Sequence, residues 1–155
     1  MSIDYIVASL PSLSFGAPAP LSWERFVDSC GGEDQILRIL DDRGWGDLET
    51  QLRNAMAAAR GGSQYARAAT GCSLFWRQRV LACFQEKDIA KREELLDRVW
   101  WDAAGELTEV TAPLGAGALA TYALRLKLAL KRDAISETQG NAAFDRLTAE
   151  TKITF

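Results

Sequence analysis

Histidine is absent from all 155 residues, and this absence excludes more candidate chemistry than any other feature of the sequence. Without imidazole the chain has no histidine general base and no Ser-His or Cys-His nucleophile pair, and most zinc and non-haem iron sites lose their usual ligand. The P-loop motif and the EF-hand loop are missing as well. We therefore expect no catalytic residue, no cofactor and no bound metal. An enzyme built on this sequence would have to use Asp, Glu, Lys, Tyr or Cys.

Cysteine, excess basic charge and long apolar runs are also scarce. The three cysteines, Cys30, Cys72 and Cys83, form no C-x-x-C pair, which favours a reducing compartment over a disulfide framework. A formal net charge of −3 argues against general nucleic-acid binding. The longest weakly polar stretch, Ala112 to Leu124, is well short of the roughly 20 residues that cross a bilayer. The apolar run near the start is too short for a signal peptide. We expect a cytoplasmic protein without a transmembrane segment.

Apolar side chains recur at helical spacing along most of the chain. Gly and Pro separate the segments, and Ser22 and Asp47 are candidate N-caps. The clearest helix begins near Ile89 and carries a stripe of Leu95, Leu96, Val99, Trp100, Ala103 and Leu107. The segment from Ala118 to Ile135 is apolar on most sides, which predicts a central helix, with a last helix from Glu137 to Ala149. The sequence predicts an all-α, irregular bundle of about six to eight helices in one domain, 1–155, with a possible hinge at residues 61–73.

Five residues are candidates for protein interaction. Trp101 lies about 100° around the helix from Trp100 on the core stripe, so it is either an exposed interface anchor or packed on a neighbouring helix. The four basic candidates lie on the following helix and are Arg125, Lys127, Lys131 and Arg132. They are either the solvated edge of a buried helix or a docking face for an acidic partner or lipid headgroups.

Carboxylates and glycines supply the remaining candidates for chemistry. The close carboxylate pairs are Asp41-Asp42, Glu93-Glu94 and Glu106/Glu109, for which a solvated helix face is the favoured interpretation over a catalytic pair. Gly115-Ala-Gly117 precedes a helix, where an anion could bind, but it lacks a preceding strand and a third glycine, so an ordinary loop is favoured. Cys83 is expected in the core, and Cys30 at a helix end is interpreted as structural.

Several segments in this order resemble an uncharacterised bacterial protein family. They are Asp4–Phe15 (DYIVASLPSLSF), Leu52–Ala55, Glu94–Trp101 and Tyr122–Leu128, followed by Gly140 and Phe144. Members of that family are encoded among the subunits of bacterial V-type (A-type) ATPases, and the family is similar to the all-helical C subunit that seats the central stalk on the membrane ring. The chain is shorter than is usual in the family, and the difference falls between Arg60 and Glu94. The resemblance assigns no functional residue.

Three functional hypotheses follow. The first, which the resemblance implies, is a non-catalytic accessory or central-stalk-like subunit of a V-type ATPase that binds other subunits and is peripheral to the cytoplasmic membrane face. The second is a free-standing helical adaptor or regulator, homodimeric through an exposed Trp101 face. The third is a small carboxylate enzyme, which would require Glu93, Asp97 or Asp102 to turn inward around a cavity.

Overall fold

The computed structural model describes residues 2–62, 64, 66–67 and 73–153, with side chains described as far as Ile135. Within these ranges the chain forms seven helices and one isolated β-bridge, between Glu109 and Ala112. The predicted all-α architecture of about six to eight helices is therefore confirmed. The helices are α1 (Ile3–Ser9), α2 (Trp23–Ser29), α3 (Glu33–Asp42), α4 (Trp45–Ala59), α5 (Leu74–Cys83), α6 (Ile89–Gly105) and α7 (Ala116–Ile153).

Local sequence signals explain most of the helix ends. The Ser22 side chain accepts a hydrogen bond from the backbone N–H of Arg25, as predicted for an N-cap. The expected cap at Asp47 is wrong, because α4 already begins at Trp45. Gly44 adopts a left-handed conformation with φ 73°, which ends α3 and starts α4 without an intervening loop. Asp47 lies in the first turn of α4, where its charge is favourable to the helix dipole.

The longest helix, α7, lies at the centre of the fold, as the apolar segment from Ala118 predicted. It packs against α1, α2, α3 and α6, while α4 packs against α3, α5 and α6. The expected break before Glu137 is wrong, because α7 continues for 38 residues to Ile153. Ser136 alone does not end a helix, since it has neither the ring of proline nor the φ freedom of glycine. The inward positions predicted for Ala143, Phe144 and Leu147 lie outside the described side chains.

One hydrophobic core joins the two halves of the chain. Its fully buried side chains come from both sides of the predicted hinge and include Phe26, Leu52, Val80, Val99 and Leu126. The hinge itself, at residues 61–73, lies mostly outside the described residues. The core contains Cys83, as predicted, with 6% of its surface exposed, and it also contains Cys30 from the end of α2, which is 1% exposed.

Small residues bring α6 and α7 into close contact. Ala104 is fully buried at this contact, and its carbonyl accepts a 2.7 Å hydrogen bond from the Thr121 hydroxyl. That hydroxyl also lies 2.7 Å from the Thr108 hydroxyl, so the one buried polar side chain among the described residues is fully partnered. Gly117 lies inside the first turn of α7 directly against the backbone of Leu107. This contact fixes how α7 leaves the loop that follows α6.

None of the helices in the described part of the chain combines the length and the apolar character that a bilayer crossing demands.

Candidate functional site

The two adjacent tryptophans of α6 differ in exposure, and Trp101, for which an exposed and a packed position were both open, is the more buried of the two. Trp101 is only 6% exposed, whereas Trp100 is half-buried. An exposed Trp101 anchor is therefore wrong, and a homodimer through that face loses its basis. The physical reason is that the loop between α1 and α2 covers Trp101, and the edge of the Phe15 ring meets the indole with the ring centroids 5.6 Å apart.

Phe15 is held on the bundle by cations as well as by Trp101. The guanidinium carbon of Arg98 lies 4.9 Å from the centre of the Phe15 ring, and that of Arg132 lies 4.7 Å away. Arg125 stacks on Trp101 at 5.0 Å and donates a 3.1 Å hydrogen bond to the Trp101 carbonyl. Cation–π contacts of this kind each contribute about 0.5–2 kcal/mol. The arginines at this face are therefore engaged within the chain.

Two hydrogen bonds fix the ends of the same loop on α7. The Tyr122 hydroxyl donates to the carbonyl of Pro11 at 2.7 Å. The backbone N–H of Ala19 donates to the Asp133 carboxylate at 2.9 Å. We call residues 11–20 the N-terminal strap. It contains no helix, turns at Phe15 and Gly16, and covers the surface that contains Trp101, Arg125 and Arg132.

The four predicted basic residues consequently divide between two places. Arg125 lies over the Trp101 ring that the strap covers, and Arg132 lies over the Phe15 ring of the strap itself. Lys127 and Lys131 line a separate groove, which we call the four-helix groove. The Lys127 ammonium lies 4.6 Å from the centre of the Trp23 ring, and the Lys131 ammonium lies 3.7 Å from Asp97 Oδ1. The basic stripe is thus not a single continuous docking face.

The four-helix groove lies between α3, α4, α6 and α7 and has a volume of about 640 Å³. This volume falls within the roughly 300–1,000 Å³ of ligand and side-chain pockets. Its lining is mainly apolar, and six of the larger apolar residues are Leu40, Trp45, Met56, Leu96, Trp100 and Leu124. Leu37 lies at the groove and is 51% exposed. The groove therefore leaves apolar surface open to a partner.

Charged side chains surround this apolar lining. The carboxylates are Asp41, Glu49, Glu93 and Asp97, and the cations are Arg53, Lys127 and Lys131. On α4, Arg53 pairs with Glu49 at 2.6 Å, one helical turn away. Asp97 is the most enclosed of these charges, with a side chain 16% exposed.

Burial raises the pKa of Asp97 above its ordinary value of 3.8, and the nearby negative charge of Glu93 adds to this effect. The positive charges of Lys131 and Arg132 lower the pKa of Asp97, but their influence is smaller than that of burial. Folding therefore makes the charged form of Asp97 less favourable than it is in the unfolded chain.

Two of the three carboxylates named for a carboxylate enzyme do line a cavity, while the third does not. Glu93 and Asp97 face the four-helix groove, whereas Asp102 pairs with Arg79 at 2.9 Å and with Arg98 at 3.2 Å. In the described ranges no group of three or more Cys, Asp or Glu side chains is arranged to hold a metal ion. Gly115 and Gly117 form no anion cradle, because Gly117 is packed against the Leu107 carbonyl.

Sequence reasoning did not find the groove itself. Trp45, flanked by two glycines, gave no clear periodic signal, yet it is 8% exposed and lines the groove. The available signal was apolar side chains at the edges of two predicted helices, Leu37 on α3 and Leu124 and Leu128 on α7. Only their packing brings them together.

No known protein-family model, curated protein or solved structure matches this chain.

Proposed function

We propose that the protein is a non-catalytic binding subunit that contacts another protein through the four-helix groove. The observation that supports this most is the groove's combination of an open apolar lining and a charged edge. Interfaces of this kind place their affinity in the apolar centre and their specificity in the charges around it. Trp100 and Leu37 supply partly exposed apolar surface of the sort that anchors a partner.

We further propose that the partner belongs to a bacterial V-type ATPase, so that the chain is an accessory or central-stalk-like subunit at the cytoplasmic face of the membrane. The support is the resemblance of segments 4–15, 52–55, 94–101 and 122–128 to the family encoded with those ATPases. An all-helical fold of this size suits a subunit that acts through helix packing. Membrane association would then come from the partner subunits.

Co-purification tests this proposal. Tagged chain is recovered from the native cells in mild detergent, beside a Leu37→Glu variant that places a charge in the groove. The half-exposed position of Leu37 lets the variant fold, which circular dichroism checks. The wild-type chain should recover ATPase subunits and the variant should recover far fewer. Recovery of no ATPase subunit by the wild-type chain would refute the assignment to this complex.

A carboxylate enzyme is a second candidate, favoured by one observation. Asp97 lines the groove beside Glu93 and has a raised pKa, as a general acid requires. Lys131, which pairs with Asp97, adds a positive charge beside this carboxyl, and as a protonated ammonium it is not a nucleophile. A panel of ester, phosphate and glycoside model substrates tests this function. Turnover that is lost in Asp97→Asn and kept in Asp34→Asn would support it, and no turnover of any class would count against it.

A further inference from the structure

The charges at the four-helix groove are not balanced within the described chain. Arg53 pairs with Glu49 and Lys131 pairs with Asp97, whereas Lys127 lies over the neutral Trp23 ring and keeps its positive charge. Asp41 and Glu93 have no ion-pair partner among the described residues. Both are exposed and both line the groove. The lining as a whole has four carboxylates against three cations, so an occupant meets one excess negative charge.

Glu93 lies one helical turn before Asp97 on α6, so its charge adds to the negative potential at that carboxylate. Its charge raises the pKa of the neighbouring Asp97, so the two carboxylates lie close enough to repel each other. A cation brought into the groove beside Glu93 would relieve this repulsion. A carboxylate brought there would add a third negative charge. The electrostatic preference of the groove is thus for a positively charged partner.

The backbone of the occupant is restricted as well. An extended peptide gains affinity by adding a strand to a sheet edge, and the described ranges contain only the isolated bridge at Glu109 and Ala112, away from the groove. A helix satisfies its own backbone hydrogen bonds and can lay one apolar face into a groove between other helices. The apolar lining contributed by α3, α4, α6 and α7 suits such a face.

From this geometry we infer that the four-helix groove binds an amphipathic helix of a partner protein, with leucine-like residues against Trp45, Trp100 and Leu124 and basic residues against Asp41 and Glu93. This inference rests on the proposed binding function and specifies the chemistry of the partner. It does not depend on the partner being an ATPase subunit.

Binding of two synthetic helical peptides to the isolated full chain tests the inference. Both are about four turns long, or roughly 14 residues, with leucine at positions i, i+3, i+4 and i+7. One carries lysine at the remaining positions and the other carries glutamate. Fluorescence anisotropy of the labelled peptides measures both affinities at low and high salt. The lysine peptide should bind about tenfold or more tightly than the glutamate peptide, and added salt should reduce the difference.

Charge reversal in the protein identifies the site. In the double variant Asp41→Lys, Glu93→Lys, the ratio of the affinity for the lysine peptide to that for the glutamate peptide should fall by about tenfold. The reason is that each contact between a peptide lysine and one of these positions changes from attraction to repulsion. The matched control is Glu106→Lys, an exposed carboxylate on the C-cap of α6 outside the groove, which should keep the wild-type preference.

Three results would overturn the inference. They are equal binding of both peptides, equal effects of the groove and control variants, and a dimer in sedimentation equilibrium that Leu37→Glu dissociates, since the occupant would then be a second copy. The peptide result and the co-purification result are independent. Lysine-peptide binding without recovery of ATPase subunits would refute the ATPase assignment and leave the groove specificity intact.

Discussion

Replacing Gly117 with alanine would place a methyl group where α7 meets the end of α6. The added Cβ would collide with the carbonyl oxygen of Leu107, lie 3.0 Å from the carbonyl carbon of that residue and lie 3.3 Å from Cα of Thr108. All three are backbone atoms, so no side-chain rotation relieves the contact. The backbone after α6 or the first turn of α7 would have to shift.

The expected cost follows from two opposing contributions. Overpacking against an unyielding neighbour costs about 1–3 kcal/mol, and the backbone collision places Gly117→Ala near 3 kcal/mol. Alanine in place of glycine in a helix recovers about 1 kcal/mol. The net loss is about 2 kcal/mol in the free energy of unfolding. For a chain of this length, about 2–4 °C per kcal/mol gives a Tm lowered by about 4–8 °C.

Gly46 provides the matched control. It is also a helical glycine, but nothing lies within 4 Å of the position its Cβ would take. Gly46→Ala should therefore raise the stability by about 0.5–1 kcal/mol. Thermal and urea unfolding followed by circular dichroism measure both variants. A Gly117→Ala protein as stable as the wild type, or a Gly46→Ala protein equally destabilised, would refute the close-approach explanation.

Three further predictions concern the strap, the groove and the thiols. Phe15→Ala should cost about 2 kcal/mol in urea unfolding, because a half-buried ring loses its aromatic and cation contacts, and an unchanged midpoint would show that the strap is not held there. Asp97→Asn should not lower the Tm at pH 7. Because the pKa of Asp97 in the folded chain is above 3.8, ionisation of this carboxyl lowers the stability of the wild-type chain as the pH rises from 3.8 through the folded pKa. A variant less stable at pH 7 but not at pH 4 would contradict this sign. Burial raises the pKa of Cys30 to about 11 and also raises that of Cys83. In a Cys72→Ser background both thiols should resist maleimide at pH 7 until the chain unfolds, and rapid labelling of the native protein would refute their burial.

The helices themselves were largely predictable, because their signals are local. Ser22 caps α2 and Gly44 ends α3 as the sequence indicated. Errors arose where two signals competed. Asp47 is a good N-cap type, but the left-handed Gly44 takes the N-cap position, so α4 starts three residues earlier than an Asp47 cap would place it. Ser136 is a weak helix former, but a continuous helix on both sides absorbs the small cost.

Individual faces were harder to predict than helices. In α5, Leu74 and Phe75 are 62% and 59% exposed although both are apolar, while Trp76 beside them is 4% exposed. A helical stripe specifies which side chains share a direction, and it does not specify how wide the covered sector is. Leu95, 44% exposed at the edge of the α6 stripe, shows the same uncertainty of width.

The helical periodicity and the caps are properties of the sequence by itself, and they determined the all-α architecture with a central α7. Tertiary structure alone decided that Trp101 is covered while Trp100 lines a groove, and that Arg125 and Lys127 serve different surfaces. The physical reason is distance along the chain. Helix propensity and capping act within one or two turns, whereas Phe15 meets Trp101, and Leu37 and Leu124 line one groove, only after distant segments pack together.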